Sequence, residues 1–306
     1  MRAAVCTRYG PPDVLELREL PIPVPETSEV RVRVLATAVS SSDCYMRGLR
    51  LSPAYRILER LVLGWNAPRR LILGMVLSGE VDAVGADVTT FEPGDLVFGF
   101  DRHRFGTYGE YVCWPEGALL IDRPVNLTDE ESAAIPYGGL LALHFLRKAG
   151  VRPGQSVAIF GASGAVGTSA VQLARYLGAE VTGVCSTANV ELVASLGATR
   201  VIDYTAEDFT DGAERYDLVF DAVGKTKSAN ALRRCQQVLG AGGACVSVDD
   251  GRPKFRRDDL VFLGELATKG EIKPVIDRTY ALEDIVDAHS YVDTGHKRGN
   301  VIITLA

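Results

Sequence analysis

Apolar and polar residues alternate with the period of a strand through the first third of the chain. Val30-Arg-Val-Arg-Val-Leu35 and Gly79-Glu-Val-Asp-Ala-Val-Gly85 are the clearest runs, and Pro and Gly turns punctuate them to about Leu120. That texture predicts an antiparallel, barrel-like β region. Beyond Leu127 it changes: Thr128-Asp-Glu-Glu131 sets a hydroxyl N-cap before an acidic first turn, and strands then alternate with helices, the signature of βαβ units. The first unit has an apolar strand, Val157-Ala-Ile-Phe160, a turn at Gly161 and a helix to Leu177 stopped by Gly178. Further strands are predicted over 181–184, 200–203, 218–223 and 244–248, with helices over 190–196 and 228–239. That makes five strand signatures where a complete doubly wound sheet expects six. A helix over 258–270, a strand over 275–280, a helix over 283–292 and a closing strand over 300–305 complete the chain, the last predicted to rejoin the β region. The expected organisation is a discontinuous β domain, 1–121 with 270–306, around an α/β domain, 122–269.

Gly161-Ala162-Ser163-Gly164-Ala165-Val166-Gly167 occupies the turn between a buried strand and a helix N-terminus. In such a turn the first glycine permits the tight bend, the second lets backbone approach a pyrophosphate, and the third lets helix pack on strand, while the helix end attracts negative charge. The pattern predicts dinucleotide binding; the alternative is a glycine-rich turn without a ligand. Where NAD-binding versions close the second strand with a carboxylate, this chain reads Val184-Cys-Ser186-Thr187, with no acid until Glu191. Nothing in that stretch repels a 2′-phosphate, and Ser186 and Thr187 have hydroxyls to donate, so NADP(H) is expected over NAD(H). These hydroxyls equally suit the start of the helix at Val190.

Composition narrows the class. The 306 residues, 47% hydrophobic and 24% charged, describe a globular protein with enough chain for two cores and exclude disordered and fibrous classes. A net charge of -6 gives no basic field to attract nucleic acid. Cys6, Cys44, Cys113, Cys185, Cys235 and Cys245 form no C-x-x-C pair, so neither a disulfide framework nor a structural metal site is signalled, and a reducing compartment fits. Met1–Gly10 lacks the apolar core of a secretory signal and no run approaches the roughly 20 residues of a spanning helix, so the expectation is a cytoplasmic protein.

These residues resemble the medium-chain dehydrogenase/reductase superfamily, specifically its zinc-free quinone oxidoreductase branch. Besides the glycine turn, the likeness is carried by Phe91-Glu-Pro-Gly-Asp-Leu-Val-Phe98, Gly106-Thr-Tyr-Gly-Glu-Tyr111, Leu196-Gly-Ala198 with Val201-Ile-Asp-Tyr204, and Pro274-Val-Ile-Asp-Arg278, spread over nearly the whole chain. The resemblance implies a GroES-like antiparallel β-barrel domain and a Rossmann-type doubly wound parallel sheet, here without its sixth strand. It implies that Tyr204 borders the adenosine 2′-phosphate, that Val223 and Gly224 lie along the nicotinamide ribose, and that Ser247 and Val248 approach the nicotinamide. Tyr45, in Asp43-Cys-Tyr-Met-Arg-Gly48, matches a tyrosine that faces the substrate pocket and is the catalytic candidate; the alternative is a core tyrosine under the barrel. Zinc-dependent relatives place their catalytic ligands where this chain has Ser40-Ser-Ser-Asp43 and Gly74-Met-Val-Leu77, and the four-cysteine lobe is absent, so no zinc is expected. His103, His144, His289 and His296 follow no ligand spacing and are expected at the surface or in packing.

The resemblance also exposes departures. Relatives carry an asparagine near Ser40, a threonine near Leu141 that touches the nicotinamide, and a basic residue near Ala188 that meets the 2′-phosphate, so Ser40 and Leu141 are expected to line the substrate pocket with fewer polar contacts, and the loss at Ala188 counts against the NADP(H) expectation. Asp249-Asp-Gly-Arg-Pro-Lys-Phe-Arg-Arg257 stands where relatives place the sixth strand, which commonly pairs across a dimer axis, so a monomer or an atypical homodimer is expected. The basic, amphipathic segment 49–70 is expected to form a helical flap over the substrate cleft, with contact to an anionic membrane surface as the alternative. The expected function is NADPH-dependent reduction of quinones, enones or related activated carbonyls, the partner being a small electrophile; the alternative is a weakly active or inactive NADP(H)-binding sensor or scaffold. Alcohol oxidation ranks last, since alkoxide stabilisation normally falls to zinc.

Overall fold

The computed structural model describes residues 1–49, 60, 61, 63–212, 214–224 and 229–305. The chain divides into two compact units, Met1–Pro136 with Ile276–Ala306, and Tyr137–Val275.

In the first unit, β1 (Arg2–Cys6) and β2 (Leu15–Glu19) form an antiparallel ribbon. The organising strand is β3 (Glu29–Val39), where the alternation seen in sequence has its physical outcome. Val30, Val32, Val34 and Ala36 are fully buried, while Arg31 and Arg33 face outward and pair across the strands with Asp82 and Glu80. The chain continues through helix α1 (Ser41–Gly48), β4 (Val76–Val84), β5 (Leu96–Phe100), β6 (Tyr111–Pro115) and β7 (Leu119–Asp122). Both β4 and β6 pair antiparallel to β3, and β5 links β4 to β7. Helix α2 (Asp129–Ala133) starts where the sequence predicts, with Thr128 and Glu131 forming a reciprocal capping box. Of the segment 49–70, residues 50–59 and 62 lie outside the described residues, so the expected flap or membrane contact has no structural account.

The second unit opens with α3 (Pro136–Ala149) and carries a five-stranded sheet. Its strands are β8 (Ser156–Phe160), β9 (Glu180–Cys185), β10 (Arg200–Asp203), β11 (Tyr216–Asp221) and β12 (Leu239–Ser247), with α4 (Ala165–Tyr176), α5 (Val190–Ser195) and α6 (Ala229–Gln237) between them. All pairings are parallel and the spatial order is β10-β9-β8-β11-β12, that of a doubly wound sheet ending at its fifth strand. Among the described residues no sixth strand follows: after Ser247 the chain turns and enters helix α7 (Arg257–Thr268). Most boundaries shift by one or two residues from expectation, and one by five. β12 begins at Leu239, not 244, because Leu239 pairs with Tyr216 ahead of a register shift, in a stretch where a side chain at Gly243 would come within 2.7 Å of the Tyr216 carbonyl oxygen.

The C-terminal return then supplies β13 (Ile276–Ala281), α8 (Ile285–Asp293) and β14 (Asn300–Thr304) to the first unit. β14 pairs antiparallel to β3, completing a seven-stranded sheet that is antiparallel except for the β13–β14 edge. Among the described residues no helix is long and apolar enough to cross a membrane.

Candidate dinucleotide site and a buried polar cluster

The parallel sheet ends its strands along one edge, and the predicted cofactor residues of the second unit lie there: Gly161–Gly167 after β8, Ser186 and Thr187 after β9, Tyr204 after β10, Val223 and Gly224 after β11, Ser247 and Val248 at the end of β12. The glycine turn has the shape its sequence implies. Gly161 has a φ of 77°, and a Cβ there would lie 2.5 Å from Val223 Cγ2; a Cβ on Gly167 would sit 2.1 Å from the Gly161 carbonyl oxygen and 2.7 Å from Ala162 Cα. A Cβ on Gly164 would meet only the Gly161 carbonyl oxygen, at 3.6 Å, so the middle of the turn presents bare backbone. No side chain caps the start of α4, which leaves its first-turn amides for a ligand. Ala162, Ala165 and Val166 are buried beneath the turn and Ser163 is partly exposed. This cradle fits the pyrophosphate of a dinucleotide.

The strand ends on either side are held by carboxylates. Asp221, fully buried, accepts the amides of Val223 and Gly224 on Oδ1, both at 3.0 Å, and the Ser247 hydroxyl on Oδ2 at 2.9 Å. The Ser247 amide donates to Asp250 and that of Val248 to the Asp221 carbonyl. The amide donors of these four predicted residues are thus engaged in fixing the strand ends. Leu141 is a half-buried residue of α3 in the same unit.

At the ends of β9 and β10, the corner predicted to face the adenosine, the structure adds a carboxylate to the expected hydroxyls. Asp203 closes β10 directly opposite Cys185 of β9, so a carboxylate does stand at this corner, contributed by the neighbouring strand. Thr187 Oγ donates to Asp203 Oδ2 at 2.5 Å, and Thr205 donates to Oδ1 through its amide, 2.9 Å, and its hydroxyl, 2.6 Å. These hydroxyls, Thr187 first, hold the Asp203 carboxyl below its ordinary pKa. Ser186 accepts from the Asn189 amide at 3.1 Å, and Tyr204 is 47% exposed. Thr187 and Asp203 are 16 residues apart; only the rule that parallel strands end together connects them in sequence.

The substrate-side candidates lie in the first unit. Ser40 is the N-cap of α1, its hydroxyl 2.6 Å from Asp43 Oδ2 in a reciprocal capping box. Tyr45 is half-buried on that helix. The two positions matched to catalytic zinc ligands provide no donor set: Ser40 is committed to its cap, and at Gly74 a Cβ would lie 2.3 Å from Thr107 Oγ and 2.6 Å from the Tyr108 ring. Among the described residues no three His, Cys, Asp or Glu side chains group to hold a metal.

Around α1 the structure shows a cluster that sequence reasoning missed. Arg47 is fully buried and donates to Asp293 at 2.5 Å, to His289 Nδ1 at 3.0 Å and to the Gly10 carbonyl at 3.2 Å. A guanidinium only donates, so His289 accepts on Nδ1 and carries its proton on Nε2. His289 packs edge-on to Tyr108, with ring centroids 5.5 Å apart. Burial, reinforced by Arg47, pulls the His289 pKa down to about 3, and burial pushes the Asp43 carboxyl up to about 6 against its Ser40 hydrogen bonds. His289 therefore belongs to the packing class, as expected, but as the neutral member of an ionic network linking α1 to α8.

Comparison with known proteins agrees with this architecture. The alcohol dehydrogenase GroES-like domain matches residues 26–124, and zinc-binding dehydrogenase models match residues 165–272 and 250–303. The chain is 33% identical to a 2-methylene-furan-3-one reductase of Solanum lycopersicum and 30% identical to an NADPH-dependent alkenal/one oxidoreductase of Arabidopsis thaliana, each match spanning 99% of this chain and 79% of the relative. A solved quinone oxidoreductase from Coxiella burnetii superposes with a TM-score of 0.89 at 29% identity, covering 100% of this chain and 99% of that one. The chain belongs to the quinone oxidoreductase branch of the medium-chain dehydrogenase/reductase superfamily.

Proposed function

We propose that this protein reduces quinones, enones or related activated carbonyls with a reduced nicotinamide dinucleotide and without zinc. The observation that carries the reading is the glycine cradle at the uncapped start of α4, with the other predicted cofactor residues on the same strand-end edge. When bound, the dinucleotide supplies the hydride. The chain's own residues position it: the Gly161–Gly167 turn holds the pyrophosphate, and the Asp221-braced ends of β11 and β12 form a fixed floor. Tyr45 is proposed to donate a hydrogen bond or proton to the oxygen that gains negative charge, the task zinc performs in metal-dependent relatives. Ser40, through its cap, sets where α1 begins and hence where Tyr45 stands, and Leu141 is proposed to line the substrate side. The NADPH preference read from the sequence has the printed name of the Arabidopsis relative in its favour and Asp203 against it.

Titration with NADH and NADPH, followed by loss of reduced-nicotinamide absorbance on adding quinones and enones, tests the proposal. Turnover is expected, lowered about 10²-fold or more in kcat by Tyr45→Phe, with little change in dinucleotide affinity. A Tyr45→Phe enzyme as fast as the parent refutes the donor role. The second reading, a binding protein with little catalysis, is favoured by Leu141 and by the end of the sheet at β12; tight binding without turnover would select it.

A further inference from the structure

We propose that Cys235 and Cys245 are a dithiol modification site: they close a reversible disulfide between α6 and β12, with a small disulfide as the oxidant. The topology explains why the two sulfurs meet. Helix α6 packs on β11 and β12, and its Cys235 is fully buried in a core cluster with Tyr216, Val219 and Val238. On β12, Cys245 is the register partner of Val219 on β11. Register partners on neighbouring strands point to the same face of a sheet, so Cys245 faces the side that α6 covers, and it packs against the same cluster. The two thiols are hydrogen-bonded to each other, and neither is in a disulfide in this structure. Side chains that already converge to a hydrogen bond meet the demand that excludes most cysteine pairs, that their Cβ vectors point at one another; the bond itself then closes to about 2 Å.

Exposure assigns the roles. Among the described residues β12 is the last strand of its sheet, so Cys245 has a neighbouring strand on one side only and is half-buried, whereas Cys235 is closed off beneath α6. The hydrogen bond to Cys245, and burial after it, push the Cys235 thiol far up, so Cys235 keeps its proton and donates it toward the Cys245 sulfur. Cys245 is therefore the attacking thiol and Cys235 the resolving one. Cys245 gives up its proton and its sulfur attacks one sulfur of the small disulfide; that S–S bond breaks, one thiol leaves, and a mixed disulfide remains on Cys245. Cys235 then gives up its proton and attacks Cys245 Sγ, expelling the second thiol. The cysteines together lose two electrons and two protons, and the small disulfide takes them up as two thiols. The product pins α6 to the edge strand just ahead of Ser247, whose hydroxyl is held by Asp221.

The test exposes the folded full-length protein to oxidised glutathione, traps the remaining thiols with N-ethylmaleimide and reads intact and peptide masses. The native protein is expected to yield the peptide holding both cysteines short by two hydrogens and closed to N-ethylmaleimide, a change that dithiothreitol reverses. Cys235→Ala is expected to stop at one glutathione on Cys245. Cys245→Ser, at a half-buried position that tolerates a hydroxyl, is expected to leave Cys235 modified at least about 100-fold more slowly than the pair in the native protein. A glutathione adduct on native Cys245 that Cys235 does not displace overturns the inference. So does undiminished modification of Cys235 in Cys245→Ser, or a pair that reacts only once urea has unfolded the chain. The readout needs neither dinucleotide nor substrate, so its result stands apart from that of the reductase reading.

Discussion

Replacing Arg47 by methionine tests whether the ionic cluster between α1 and α8 holds the first unit together. The guanidinium is fully buried and Asp293 is 14% exposed, so removing the cation takes the charge partner from a carboxylate that water barely reaches. It also removes the donor to His289 Nδ1 and the bond to the Gly10 carbonyl. Breaking a buried pair by deleting one partner costs about 3–5 kcal/mol, mostly from the uncompensated charge left behind. The partial exposure of Asp293 argues for the lower half of that range. Arg33→Met, in the same unit, is the control: its pair with Glu80 has side chains 47% and 37% exposed and is expected to contribute at most about 1 kcal/mol.

Urea unfolding followed by tryptophan fluorescence is the assay, because both tryptophans, Trp65 and Trp114, lie in the first unit and Trp114 is fully buried. The double variant Arg47→Met/Asp293→Leu carries neither charge and is expected to be less destabilised than the sum of its single variants by at least about 2 kcal/mol. Equal costs for Arg47→Met and Arg33→Met, or additivity in the double variant, would refute the argument.

Two further outcomes follow from the same structure. Gly167→Val puts side-chain atoms into the Gly161 carbonyl and Ala162 backbone, with no flexible neighbour to yield; dinucleotide affinity should fall by more than about tenfold in a fluorescence titration, with the first unit's unfolding unchanged. For His289, whose folded pKa of about 3 lies below its unfolded value near 6.5, neutral burial contributes stability that is present above pH 6.5 and lost as the pH falls toward 3. His289→Asn cannot bind that proton, so its deficit relative to the native protein should shrink by about 3 kcal/mol between pH 6.5 and 4. A deficit that stays constant over that window in urea titrations would mean that His289 titrates normally.

Local features were legible and long-range juxtapositions were not. The valine alternation of β3 and the glycine turn announce themselves because their periodicity and conformation are encoded within a dozen residues. The five strands of the parallel sheet, with no sixth among the described residues, were readable for a related reason: each βαβ unit is punctuated by its own turn. Asp203 is hidden from a strand-by-strand view because the corner is built from the ends of two adjacent strands, and its acid closes β10 rather than β9. The Arg47 cluster escaped because His289 and Asp293 lie some 245 residues away and reach α1 only through the C-terminal return. His289, read alone, had no spacing that distinguished it.

Asp43, Asp203 and Asp221 share one physical device, a carboxylate that satisfies backbone donors beside the end of its own strand or helix. Asp203 and Asp221 each close a strand and satisfy the donors of the turn that follows, Asp203 the amide of Thr205 and Asp221 those of Val223 and Gly224, while Asp43, in the first turn of α1, reaches back to the Ser40 amide before it. A loop satisfied by its own carboxylate is preorganised before a ligand arrives, which lowers the ordering cost of binding. It also has fewer donors to offer, so an anionic group finds partners chiefly at the glycine turn, where no side chain competes for the amides of α4. That division predicts that Asp221→Asn, which weakens the brace under the nicotinamide side without touching the cradle, will lower turnover more than dinucleotide affinity.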